Sequence, residues 1–228
     1  METWWGWVVR SRLLFFVVIG VGLLGSLPCA SAQAIGAGLD FQDSHAVFDV
    51  GGNHYATHYI ETGLTFRQWL VPSLFNLGLR GGYLSVTQDS NPVVSGANIG
   101  GEYIGLDASF RYNWIPWIGF RAYASETYHH SSTTTKIGVN HIDWYGFHAR
   151  AGADLHFGIV GIGAGAFYRR ATGHEPMPAS QPETVALFEN ETGPYASVTL
   201  YPVVGGSVTL LGEGGRWHTY LLTFRYGF

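Results

Sequence analysis

The 228-residue sequence holds 12 Lys plus Arg against 16 Asp plus Glu, a net charge of −4, and so presents no basic field for nucleic acid. Only 12% of its residues are charged while 15% are aromatic and 32 are glycine, and Lys136 is its one lysine, which argues against the lysine-rich exterior of a soluble β-sandwich. Beyond residue 32 no apolar run reaches the roughly 18–20 residues that a spanning helix needs.

Arg10 and Arg12 precede Leu13–Leu24, an apolar stretch too short and too glycine-broken to cross a membrane. Ala30-Ser31-Ala32 then supplies small residues for cleavage before Gln33. Residues 1–32 therefore read as a secretory signal peptide and 33–228 as the mature domain. Cys29, the single cysteine, leaves with the signal. Ser26-Leu27-Pro28 before it makes a poor lipoprotein box, with Leu misplaced and Pro where a small residue belongs. The mature chain then needs neither a disulfide nor a thiolate.

From there the chain alternates with a two-residue period. Ile35–Phe41 carries Ile35, Ala37, Leu39 and Phe41 on one face, and a further strand begins near Tyr55. Phe75–Tyr83, Ile118–Ala124, Val160–Tyr168 and Ala196–Leu200 repeat the pattern. It is clearest in Ile104–Trp114, with even residues apolar and odd residues polar or glycine, and in Tyr145–Phe157, with the parity reversed. Ser207–Leu211 is a short candidate. Finally Tyr220, Leu222, Phe224, Tyr226 and Phe228 share a face up to the last residue. A water-soluble protein would invite aggregation with such an exposed edge.

Short links at Gln68–Pro72, Asn113–Trp117 and Phe157–Ile159 alternate with long ones at Gln88–Ala97, His129–Val139 and Ala171–Gly193, as expected of tight periplasmic turns and longer external loops. With Phe228 at the periplasmic rim, counting back by parity requires ten strands, with eight as the alternative count. An unpaired backbone amide in hydrocarbon costs several kcal/mol, so an apolar-faced sheet must close on itself. The fold expected is an all-β, antiparallel up-and-down transmembrane barrel. Trp69, Trp114, Trp117 and Phe228 are expected at its periplasmic interface, and Tyr103, Tyr128, Tyr168, Tyr195 and Tyr220 at the external one.

Alternation turns Arg67, Arg80, Arg111, Arg121, Arg150, Arg169 and Arg225 into the lumen, with Glu61, Asp107 and Asp154 as partners. Buried arginine needs a carboxylate, which suggests a structural ion-pair network; the competing reading is a narrow conduit favouring anions. Histidines gather near one rim, and the adjacent His129 and His130 with His141-x-Asp143 form the candidate metal set. His141-x-Asp143 and His129-x-Ser131 are superficially similar to parts of omptin-like proteases and lipid A deacylases, but the remaining partners do not match, so no enzyme is expected. Ala171–Gly193 contains Pro176, Pro178 and Pro182, which oppose regular pairing, and Glu175, Glu183, Glu189 and Glu191, which make it acidic. No cofactor is implied.

The signal peptide, the alternating strands and the terminal Tyr220–Phe228 together resemble the small outer-membrane barrels of Gram-negative bacteria, the broad class of the OmpA membrane domain, OmpX and OmpW. The resemblance implies export, outer-membrane lipid as surroundings, and insertion by the barrel-assembly machinery reading Tyr220, Phe224, Tyr226 and Phe228. It identifies a location and fold rather than an activity. The expectation is a monomeric, non-enzymatic surface barrel with a largely packed lumen and external loops that meet an unidentified partner. A small anion-favouring channel and a metal- or pH-responsive surface module are the alternatives.

Overall fold

In-out alternation runs well past the segments that stand out in the sequence, so the strands are longer than the apolar belt requires. The computed structural model describes residues 35–50, 53–89, 91, 97–135, 138–175, 184–188, 191–215 and 218–227. The proposed signal peptide and Phe228 lie outside them. The strands are β1 (Ile35–Val50), β2 (Asn53–Val71), β3 (Phe75–Gln88), β4 (Asn98–Ile115), β5 (Ile118–Thr135), β6 (Gly138–Phe157), β7 (Val160–Glu175), β8 (Thr184–Phe188), β9 (Glu191–Leu200), β10 (Gly206–Gly214) and β11 (His218–Gly227).

Ten of these close an antiparallel barrel, and β8 is an extra short strand. Each neighbour pairs in sequence order except that β9 takes the place beside β7, and β1 closes the ring against β11 from Gly36↔Gly227 to Ser44↔Thr219. The expected ten-strand count holds. Periplasmic links are tight, with Gly158 (φ 59°) supplying the left-handed residue of the two-residue turn between β6 and β7.

The lipid-facing wall carries Leu39, Phe41, Ile60, Leu64, Phe66, Ile104, Phe110, Trp114, Phe120, Leu155, Ile162, Leu210 and Phe224, all substantially exposed. Such a surface is stable only against hydrocarbon. A tilted strand crosses the bilayer core in about 9–11 residues, yet β2 has 19 and β6 has 20, so the excess projects beyond the extracellular side. This corrects the expected His129–Val139 loop: Ser131↔Ile142 through Thr135↔Gly138 continue the β5–β6 ladder. The expected Ala171–Gly193 loop is likewise partly strand at both ends and over β8.

On β8, Leu187 pairs with Thr172 of β7 on one side and with Asp49 of β1 on the other. It stands above the tops of the three short strands β9, β10 and β11. The wall therefore has ten strands around the lower lumen and eight, β1–β7 plus β8, around this upper level. Barrel diameter falls with strand number, and eight strands leave an interior that side chains can fill. Phe48, Val86, Ile99, Ile142 and Trp144 form a buried apolar cluster inside the extracellular half, and Phe48 meets the Trp144 ring edge-on at 5.7 Å.

Three aromatics expected in the interfacial girdles face inward instead. Trp69 lines a periplasmic cavity, and Tyr103 and Tyr195 are buried. Parity explains this, since Tyr103 continues the polar, odd face of Ile104–Trp114. Register then gives both tyrosines a seat. Tyr103 is opposite Gly82, which is opposite Gly63, and a side chain at Gly63 would run into the tyrosine ring. Tyr195, Gly165 and Gly152 repeat the arrangement on the far wall. In each case a ring lies across a paired-glycine gap in the neighbouring strands.

Candidate functional site

The enclosed surface is built from the inward positions of every barrel strand. All seven arginines and three carboxylates expected there face inward, and the structure pairs many of them across strands. Arg67 grips Asp107 with two nitrogens, Nε–Oδ1 at 3.0 Å and Nη2–Oδ2 at 2.9 Å. Arg121 meets Asp154 at 2.8 Å. Arg80 donates to Glu61 at 3.2 Å, and the other Glu61 oxygen lies 2.9 Å from His129 Nε2. His129 stacks on Trp144, with centroids 4.4 Å apart, so this polar layer sits directly beneath the apolar cluster.

Further partners join the expected set. Asp40 accepts from Thr65 Oγ1 at 2.5 Å. Glu213 meets His148 at 2.8 Å and Arg150 at 3.6 Å. Arg169 pairs with Glu191 and donates to Thr219 at 2.6 Å. Asp40 was legible, because it is an inward position of Ile35–Phe41. Glu213 was not, because β10 had to be carried two residues beyond its visible alternation.

Cavities remain among the described residues, two of them in the lumen. The smaller, about 280 Å³, lies among Glu61, Arg80, His129, His148, Arg169 and Glu213, below the apolar cluster. The larger, about 600 Å³, reaches the periplasmic rim at Gly36, Gly158 and Gly205 and is lined by Arg67, Arg111, Arg121, Arg150 and Arg225. Among the described residues neither Arg111 nor Arg225 has a carboxylate within ion-pair distance; Arg111 instead meets His156 Nε2 at 2.8 Å. The periplasmic half of the lumen is thus a cup with surplus positive charge.

The four residues expected to hold a metal are not all brought together, since three share the outer wall and His129 does not. His130 and His141 share the outer wall with ring centroids 5.6 Å apart, and His130 Nδ1 is 2.5 Å from Asp143. His129 points into the lumen, because successive residues of a strand face opposite ways. A different histidine group forms where β1, β2 and β11 rise above the lipid belt. His45 lies opposite His58, their rings stacked at 4.5 Å, and His218 is 4.8 Å away on the other side. Partial burial pushes the His45 imidazole below its ordinary pKa, repulsion from His58 and His218 adds to this, and Asp43 opposes it. Of the proposed assembly residues, Tyr220, Phe224 and Tyr226 face lipid, and Phe224 packs edge-on against Phe41 at 6.4 Å across the closing seam.

No protein-family model and no curated sequence matches the chain. Among solved structures, it is similar to the translocator domain of the autotransporter NalP from Neisseria meningitidis, with a TM-score of 0.50, 12% identity and 98% of each chain covered. An outer-membrane channel from Pseudomonas putida F1 has a TM-score of 0.47 at 8% identity, covering 90% of this chain and 98% of that one. The outer-membrane protease OmpT from Escherichia coli has 0.45 at 11% identity, covering 89% and 99%. At such identities the NalP likeness speaks for architecture alone. Closure of ten antiparallel strands, an apolar wall turned to lipid and arginine–carboxylate pairs enclosed within it give this chain the architecture of an outer-membrane β-barrel.

Proposed function

We propose that the protein is a non-conducting, non-enzymatic surface barrel whose extracellular extension meets a partner outside the cell. The observation that carries this reading is the apolar cluster in the eight-stranded upper level, where Phe48, Val86 and Ile99 are 0% exposed and Ile142 is 1% exposed. Side chains packed to that degree leave no aqueous path for ions. The carboxylates and histidines beneath are engaged in cross-strand pairs, which supports a structural rather than a chemical role for them. In planar bilayers the refolded barrel should show no discrete conductance, and liposomes carrying it should not swell in small sugars. Steady single-channel steps from the wild type would overturn the reading.

One observation favours a second reading. Arg111 and Arg225 exceed the carboxylates near them and face a cavity open at the periplasmic rim. An anion-favouring conduit would use these charges, provided the upper level opens. Its signature is an anion-selective reversal potential that Arg111→Ala or Arg225→Ala shifts toward zero.

A further inference from the structure

We propose that Asp43, His45 and His58 form a binding site for a divalent transition-metal ion of the Zn²⁺ class on the outer wall of the barrel, just above the lipid belt. Register assembles it. His45 and His58 are directly opposed on β1 and β2, and Asp43 lies two residues nearer the membrane on the same face of β1. Asp43 Oδ1 is 2.7 Å from His58 Nε2 and 3.8 Å from His45 Nε2. The three donor atoms all lie within 4.8 Å of one another.

Tetrahedral Zn²⁺ with bonds of about 2.0–2.2 Å spaces its ligands roughly 3.3 Å apart. The widest donor pair therefore needs to close by no more than about 1.5 Å, while Asp43 Oδ1 and His58 Nε2, at 2.7 Å, must part by about 0.6 Å. Their side chains are 43% (His45), 51% (Asp43) and 36% (His58) exposed, so they can turn about their own bonds while the ladder holds the backbone. Two imidazole nitrogens and a carboxylate oxygen form a donor set that suits zinc and leave a fourth position open. His218, with its ring centroid 4.8 Å from that of His45, is a further imidazole beside the group. A single His58–Asp43 hydrogen bond would be enough to tie β1 to β2. Gathering two more imidazoles around it brings together a ligand set that the barrel itself does not require. Ile60 and Tyr220, both lipid-facing, stand directly opposite Asp43 on β2 and β11, and Phe41 lies two residues below it on β1, which places the ion at the upper edge of the apolar belt.

The site can be tested by calorimetric titration of the detergent-refolded barrel with Zn²⁺. The wild type should bind one equivalent tightly, and His45→Ala or His58→Ala should weaken that binding by at least about tenfold. His130→Ala and His141→Ala, which alter the other outer-wall histidine pair, should leave it unchanged. Circular dichroism and the heat-shifted gel mobility of a folded barrel would confirm that each variant is intact. Co²⁺ offers a second readout, a tetrahedral visible absorption band that His45→Ala abolishes. The proposal is overturned if the wild type gives no binding heat, or if the tight equivalent survives both His45→Ala and His58→Ala.

Discussion

Two kinds of single residue hold this barrel: partners of a buried charge, and glycines that make room for a ring. Asp107 has a side chain with no exposure, and Arg67 is its bidentate partner. Arg67→Ala would strand the carboxylate and should cost about 3–5 kcal/mol in urea unfolding of the micelle-bound protein. The double substitution Arg67→Met with Asp107→Leu should recover most of that loss, because an apolar pair carries no desolvation penalty. A single substitution as mild as the double would show that Asp107 is solvated. At Gly82 a methyl group would run into the Thr62 carbonyl, so Gly82→Ala should cost about 1–3 kcal/mol in the same assay. Alanine on the open wall at Gly100, where nothing stands within 4 Å, should be tolerated.

Among the elements, β8 has the most consequence for its five residues. It covers the edges that β7 and β1 would otherwise leave bare above the tops of β9 and β11, and an uncovered edge is a template for unwanted pairing. Deleting 176–190 should leave the ten-stranded ring folded while amide exchange rises at Thr172–Glu175 and near Asp49. Exchange over 160–169, which β9 protects, should not change. The same deletion should abolish any partner binding that depends on this segment. Equal exchange in both halves of β7 would mean that β8 does not seal the wall.

At the scale of the whole molecule, the solvent outside is hydrocarbon, and the cost of a charge should depend on depth. Leu64→Arg, at the middle of the apolar belt, should destabilise by about 2–4 kcal/mol, whereas Glu102→Arg, above the belt, should change stability by less than about 1 kcal/mol. Unfolding titrations in lipid vesicles measure both. Similar costs at the two positions would place the belt elsewhere.

Alternation was enough to assign the barrel and the inward turn of Arg67, Arg80, Arg111, Arg121, Arg150, Arg169 and Arg225, because side-chain direction in a strand is a local property with a period of two, and the ten-strand count needed the parity of short and long links besides. It would also have placed Asp40, Tyr103 and Tyr195 inside, had the parity been carried through, where the sequence reading instead put the two tyrosines in the external girdle. What the chain could not disclose locally was register between strands distant in sequence. Only the assembled barrel opposes His45 to His58 across two strands and brings His218 beside them, sets Glu213 against His148, and lets β8 bridge β7 and β1. Those pairings decide that the upper level has eight strands around a buried apolar cluster while the lower has ten and keeps a cavity, because circumference is a property of the closed ring and of no single strand.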